Sequence, residues 1–179
     1  MKNKILKWSM KKYSEKQRVI ILIPAGMLFL VGIPLVLIIL SPIIDTCLAL
    51  PRFILKPLNL IIVLFFIIPG LAFSAWSVWI QFKIGKGTPI PMMPTRRLLI
   101  EGPYTYCRNP MTLGIIIFYF GIGIWIGSLS SIGLTILFIA LIITYIKLVE
   151  EKELEARFGQ EYVEYKKRTP FLIPKRRRK

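Results

Sequence analysis

Three stretches of this sequence carry no charged residue: 19–44, 57–82 and 109–146. A hydrocarbon core of about 30 Å takes roughly 20 apolar helical residues, so each of the first two stretches suffices for one crossing. The third holds 38 residues. As a single helix it would be about 57 Å long, nearly twice the bilayer. Its middle, Gly127-Ser128-Leu129-Ser130-Ser131-Ile132-Gly133, reads as a turn. The expected fold is therefore all-α: a multi-pass membrane bundle of about four transmembrane helices. The last two form a C-terminal hairpin with arms at roughly 111–126 and 132–147, about 24 Å apiece. An apolar content of 55% and a mean hydropathy of +0.62 agree with one membrane domain.

The cations give the orientation. With four crossings, 23 Lys and Arg collect on one side of the membrane, and only Arg52 and Lys56 fall on the other. Positive residues mark the cytoplasmic side, so both termini and the loop between the second and third crossings are expected there. A net charge of +16 and the tail Lys175-Arg176-Arg177-Arg178-Lys179 also fit nucleic-acid binding. Because these charges flank crossings, topology and anionic headgroups account for them, and no nucleic-acid partner is expected. The first apolar run exceeds a signal-peptide core and lacks a small-x-small cleavage pattern, so it is read as a retained helix. Cys47 and Cys107 fall on opposite sides, which implies no disulfide framework.

Two units are expected: a basic N-terminal segment with the first two crossings at 1–82, and a core at 83–179. Residues 1–18, with Trp8 and Tyr13, read as an interfacial anchor. Residues 43–56 read as irregular, because Pro42, Pro51 and Pro57 interrupt them. Pro69-Gly70 is expected to kink the second crossing. Eight glycines and prolines between 83 and 110 predict an ordered loop. A helical pattern resumes at 150–168 on the cytoplasmic side, breaks at Gly159 and ends at Pro170. No internal repeat is present.

The chemistry-bearing residues cluster in two places. Glu101-Gly102-Pro103-Tyr104-Thr105-Tyr106-Cys107-Arg108-Asn109-Pro110-Met111-Thr112-Leu113-Gly114 opens the third crossing. Pro110 suits the first helical turn, and the unpaired N–H groups behind it suit a carboxylate. Arg108 adds a fixed positive charge. Taken singly, an Arg and two Tyr at a membrane boundary are equally well read as anchors. Lys147, Glu150 and Glu151 share one face at the cytoplasmic end of the fourth crossing. Two carboxylates at a helix C-terminus oppose its dipole, which points to a compensating ligand, although Lys147 and Lys152 can also pair with them.

The ordered set Gly102-Pro103-Tyr104-x-Tyr106-x-Arg108-Asn109-Pro110-Met111-x-Leu113-Gly114, then Glu150-Glu151, then Phe158-Gly159-Gln160-Glu161-Tyr162-Val163-Glu164-Tyr165-Lys166-Lys167-Arg168-Thr169-Pro170, closely resembles the isoprenylcysteine carboxyl methyltransferase and phospholipid methyltransferase superfamily. Gly87-Thr88-Pro89-Ile90-Pro91 is similar to a loop of its prokaryotic branch. The resemblance covers about 85–174. It implies a membrane methyltransferase using S-adenosyl-L-methionine, with a lipophilic or lipidated acceptor entering from the lipid. By position, Arg96, Leu98, Leu99 and Tyr104 would line the adenosine, and Asn109, Pro110, Met111, Thr112 and Glu150 would hold the remainder. Arg108, Lys147 and Glu151 are the candidate catalytic residues, Lys147 lying near a family position for an acceptor-binding Arg. No residue is assigned to a metal.

Two departures affect the chemistry. Where the family usually has Arg-His-Pro-x-Tyr, this chain has Arg108-Asn109-Pro110-Met111-Thr112, and it contains no His. General-base catalysis by His is excluded; Glu150, Glu151, Tyr side chains or no base remain. Displacement at a sulfonium brings its own activation, so alignment and exclusion of water can carry it. A carboxylate or thiolate acceptor needs no deprotonation and suits such a site better than an amine. Isoprenylcysteine carboxyl O-methylation is the leading expectation, with phospholipid N-methylation and a non-catalytic lipid- or partner-binding scaffold as rivals. A transporter is disfavoured, because no charged residue falls in the predicted bilayer interior.

Overall fold

The computed structural model describes residues 13–53, 58–91 and 93–174. Among them all regular structure is helical. The first rod begins at α1 (Glu15–Met27), widens into a π turn (Leu28–Gly32) and continues as α2 (Ile33–Cys47). It starts at Glu15 because Ser14 and Gln17 form a reciprocal capping box. α3 (Leu58–Lys83) and α4 (Pro110–Ile126) follow. The last rod comprises α5 (Leu129–Tyr145), a π turn (Ile146–Glu150) and α6 (Glu151–Phe158), followed by α7 (Gln160–Arg168). Three helical spans, Glu15–Cys47, Asn59–Lys83 and Leu129–Phe158, are long and apolar enough to cross a membrane, and Pro110–Ile126 is a shorter apolar helix.

α4 forms the middle of the bundle. Apolar nearly all round, it is buried by neighbours rather than by lipid. It packs most closely on α3, where Gly70 and Ser74 face Gly114 across a gap that admits no larger side chain. A Cβ on Gly114 would lie 2.3 Å from Ser74 Oγ and 2.6 Å from the Gly70 carbonyl. Small residues four apart let membrane helices approach backbone to backbone, where dispersion and short hydrogen bonds replace the missing hydrophobic drive. Ser74 adds one such bond, its hydroxyl donating to the Met111 carbonyl at 3.2 Å. On the other flank Leu37, Ile115, Phe118, Tyr119 and Ile122 form the core, with Phe29 and Phe138 against it. The Tyr119 hydroxyl donates to the carbonyl of Phe29, within the π turn of the first rod, at 2.8 Å. Large apolar side chains such as Ile20, Leu60, Phe65, Ile68, Leu137 and Leu141 point outward, as a lipid-facing surface requires.

The structure corrects several details of the sequence reading. The hairpin turn is only Gly127-Ser128, not a seven-residue segment. Gly127 (φ 68°) closes α4 in the left-handed conformation, and the Ser128 hydroxyl accepts the Ser131 N–H at 3.1 Å to start α5. Residues 43–47, expected to be irregular, remain helical beyond Pro42. Asp45 ties that last turn down by accepting the Ser130 N–H at 3.0 Å. The fourth crossing does not end at Lys147: the π turn carries it into α6, so Glu150 and Glu151 lie inside a continuous rod and the dipole argument for them falls. Arg18 is buried rather than an exposed anchor, donating to the Phe82 carbonyl at 2.7 Å and stacking 4.4 Å over the Phe82 ring. Residues 1–12 of the expected anchor, with Trp8, lie outside the described residues.

The α3–α4 contact generates a pair of opposite expectations. Gly114→Ala should lower stability by about 1–3 kcal/mol through overpacking. Gly133→Ala, whose Cβ would meet nothing within 4 Å, should be neutral or stabilising by up to about 1 kcal/mol. Thermal unfolding of both variants in one detergent checks this; equal Tm shifts would refute the close packing.

Candidate functional site

The site is built where the chain enters α4. Between α3 and α4 the backbone folds tightly on itself: the Arg96 N–H donates to the Gly85 carbonyl at 2.8 Å and the Thr88 N–H to the Met93 carbonyl at 2.8 Å. Gly87 allows the crossing, since a Cβ there would lie 2.5 Å from the Thr95 backbone. The Arg157 guanidinium on α6 donates to the Thr95 carbonyl and so fastens this loop to the last rod. A 3₁₀ turn (Gly102–Thr105) then delivers Tyr104 onto Ile80 and Leu99. The Gln81 amide donates to the Tyr104 hydroxyl at 2.5 Å. Burial pushes the Tyr104 phenol above its ordinary range, so it stays neutral. Burial likewise raises the Cys107 thiol to about 11, which leaves it protonated and poorly nucleophilic.

Arg108 and Glu151, 43 residues apart in sequence, meet directly in an ion pair whose side chains are 10% and 9% exposed. Neither charge is left with a single partner. The second Glu151 oxygen accepts from Lys166 Nζ at 2.7 Å, and Arg108 also donates to the Tyr162 hydroxyl at 3.3 Å. Lys166 reaches Glu155 at 2.9 Å as well, and these two carboxylates hold its ammonium above the usual lysine range. Tyr165, on the same face of α7 as Tyr162 and Lys166, donates to the Tyr104 carbonyl at 2.7 Å. One face of α7 therefore gathers the loop, the start of α4 and α6 into a single cap. It can do so because Gly159, at φ 55° and ψ −130°, turns the chain back between α6 and α7 in a conformation open to Gly alone.

Past α7 a short strap returns over the start of α4. The Arg108 N–H donates to the Pro170 carbonyl at 2.9 Å, and the Asn109 side-chain amide donates to the Phe171 carbonyl at 3.0 Å. Asn109 stands at the N-cap of α4 without capping it, and Pro110 occupies the first turn. Among the described residues no side chain caps this end, so the N–H groups of Met111 and Thr112 lack a side-chain acceptor, as at helix starts that bind anions. Close by, Glu150 is partly buried and has no hydrogen bond or ion pair among the described residues.

Of the residues singled out from sequence, Arg108, Glu151 and Lys147 come together, Lys147 through the ring of Phe171. Tyr104 and Leu99 form the neighbouring apolar wall. Leu98 is half-buried, while the Arg96 side chain is exposed and enters the site only through its backbone. Met111 packs toward the core. The sequence reading gave no role to Gln81, Tyr162, Tyr165, Lys166 or Phe171. Their spacings of three and four put Tyr162, Tyr165 and Lys166 on one face of a helix, but the sequence does not show what that face meets.

The ion pair predicts an asymmetry. Glu151→Ala should cost about 3–5 kcal/mol, because it strands a buried guanidinium. Arg108→Ala should cost less, because Glu151 keeps Lys166. The double variant should fall short of the sum by about 0.5–3 kcal/mol. Thermal and denaturant unfolding of the four proteins measures this, and additive costs would exclude the coupling.

Comparison with known proteins assigns this architecture. No individual curated protein matches the chain. Residues 58–161, from the start of α3 into α7, match the family described as phospholipid methyltransferase. That match takes in more than half of the 179 residues and includes α3, α4, the last rod and the ion pair: this chain belongs to the phospholipid methyltransferase family.

Proposed function

We propose that the protein transfers a methyl group from S-adenosyl-L-methionine to a lipophilic acceptor at the cytoplasmic face of the membrane, the nearest chemistry being isoprenylcysteine carboxyl O-methylation. Membership of the family brings membrane methyltransferase chemistry; the donor, the acceptor and the sidedness are the proposal. One observation carries it: the polar start of α4 and the acidic turn before α6 meet, joined by Arg108 and Glu151, with uncapped N–H groups and an unpaired Glu150 beside them.

The groups present fit such a donor. Arg108 Nε is buried without a hydrogen-bond partner, and with the open N–H groups of Met111 and Thr112 it offers what an amino-acid carboxylate needs. Glu150 matches an ammonium or a pair of ribose hydroxyls. Tyr104 and Leu99 supply an apolar wall for a nucleobase. S-adenosylmethionine, when bound, supplies a methyl group on an electrophilic sulfonium. The chain's own residues then have to bind, orient and keep water out. Glu151 is held by two cations, which suits it to fixing Arg108 rather than to taking a proton. Asn109 is engaged with the strap and cannot titrate near neutrality. With no His in the chain, an acceptor that arrives already deprotonated is favoured. Lys147, at the exposed edge, is placed to meet its negative charge. The 23 cations on one side of the crossings support the cytoplasmic assignment.

The second reading, methylation of a phospholipid amine, draws support from the description of the family itself. Purified protein given labelled donor and either a prenylated cysteine analogue or phosphatidylethanolamine vesicles separates the two. Base-labile methyl ester on the first substrate is expected; label on the lipid amine alone would select the second reading. Glu150→Ala should weaken S-adenosylhomocysteine binding about ten-fold or more in calorimetric titration. Unchanged affinity would remove Glu150 from the site, and no binding by the unsubstituted protein would favour a non-catalytic scaffold.

A further inference from the structure

At the edge of the site one aromatic ring serves two cations. The Arg108 guanidinium carbon lies 5.5 Å from the centroid of Phe171, and Lys147 Nζ lies 5.3 Å from it. Lys147 has no ion pair among the described residues, and Arg108 keeps one buried nitrogen without a partner. Arg108 is paired with Glu151, whereas Lys147 needs a negative partner to offset its repulsion from the nearby guanidinium. The face of an aromatic ring carries such a charge in its quadrupole. The backbone around that ring is fixed as well: the Pro170 carbonyl accepts the Arg108 N–H at 2.9 Å and the Phe171 carbonyl accepts the Asn109 amide at 3.0 Å. The strap that carries the ring is thereby registered to the first residues of α4, so its backbone cannot shift without breaking both bonds. Asn109, kept by that second bond, does not cap the helix, and its leading N–H groups stay open beside the two cations.

We infer that Phe171 is a positioning residue, whose ring holds Arg108 and Lys147 together as one seat for the anionic group of a bound substrate. This rests on the reading of this end of the bundle as the methyl-transfer site. The anion is a carboxylate or an equivalent oxyanion, and it can belong either to the donor's amino-acid part or to the acceptor. An aliphatic residue of similar bulk fills the same space but offers no negative face, and this separates the inference from simple packing.

The test uses the full-length protein in detergent, with Phe171→Leu, Phe171→Tyr and Phe171→Trp compared by calorimetry against two probes. S-adenosylhomocysteine carries the carboxylate, and 5′-methylthioadenosine lacks the whole amino-acid part. If the seat takes the donor, Phe171→Leu should weaken S-adenosylhomocysteine about five-fold, leave 5′-methylthioadenosine unchanged, and be rescued by Tyr or Trp. If it takes the acceptor, both probes bind normally, while the KM for the methylated acceptor rises by a similar factor in the Leu variant and recovers in the Tyr variant. Neither change, equal weakening of both probes, or failure of Tyr and Trp to rescue would overturn the inference. Arg108→Ala keeps the two levels apart. If it alters neither binding nor KM, the site reading itself is wrong. If it alters them while Phe171→Leu does not, only the role of Phe171 is lost.

Discussion

The cap over the start of α4 depends on one interaction, the ion pair between Arg108 and Glu151. Moving two charges out of water costs several kcal/mol per ion, and a lone contact in low dielectric seldom recovers it. Here recovery comes from company. Lys166 takes the second carboxylate oxygen and Tyr162 a second guanidinium proton, so both charges are shared among several polar groups. Because the partners sit on the lead-in to α4, on α6 and on α7, satisfying the charges also fixes three segments in relation to one another. The polar network joins these segments beside the small apolar cluster of Ile80, Leu99 and Tyr104.

Below the cap, order comes from closeness instead of charge. Gly70, Ser74 and Gly114 let α3 and α4 touch at backbone distance, and the Ser74 hydroxyl spans them. This sets the axial position of α4, and with it the level at which Asn109 and Pro110 emerge. The far end is pinned independently, Asp45 binding the first turn of α5 and Asn59 donating to the Ile124 carbonyl at 3.3 Å. Position along the membrane normal is thus determined twice, by small residues in the middle and by polar bonds at the outer turn.

Hydropathy made the crossings legible, and Gly127 and Gly159 marked the two sharpest turns because few other residues tolerate those conformations. The charges at 147–153 misled in one respect. They mark where lipid ends, whereas the helix carries on, since a charged residue is no obstacle to helical hydrogen bonding once water is available. The π turns left no trace in composition, for they depend on what packs against the rod, as Tyr119 does at Phe29. Arg108, Glu150 and Glu151 could be singled out because charge at a membrane boundary is sparse enough to stand out. Phe171 could not. Its role follows from a strap that returns over a distant segment, and nothing in a local window of sequence encodes that return. Arg18 failed for the opposite reason: a basic residue beside an apolar run has an ordinary explanation, and only tertiary structure reveals the Phe82 carbonyl waiting for it.

The shortness of α4 has a consequence for anything delivered from the bilayer. Its 17 residues span about 25 Å, less than the hydrocarbon slab, while the rods beside it run to 30 and 33 residues. The polar start of α4 is therefore sunk beneath the tips of its neighbours. Lifting an acyl or prenyl chain into water costs about 0.8 kcal/mol for every methylene exposed, which over a dozen carbons would rival the stability of the protein itself. A recessed floor removes that toll: a tail can stay dissolved among its fellows and only its head need turn inward.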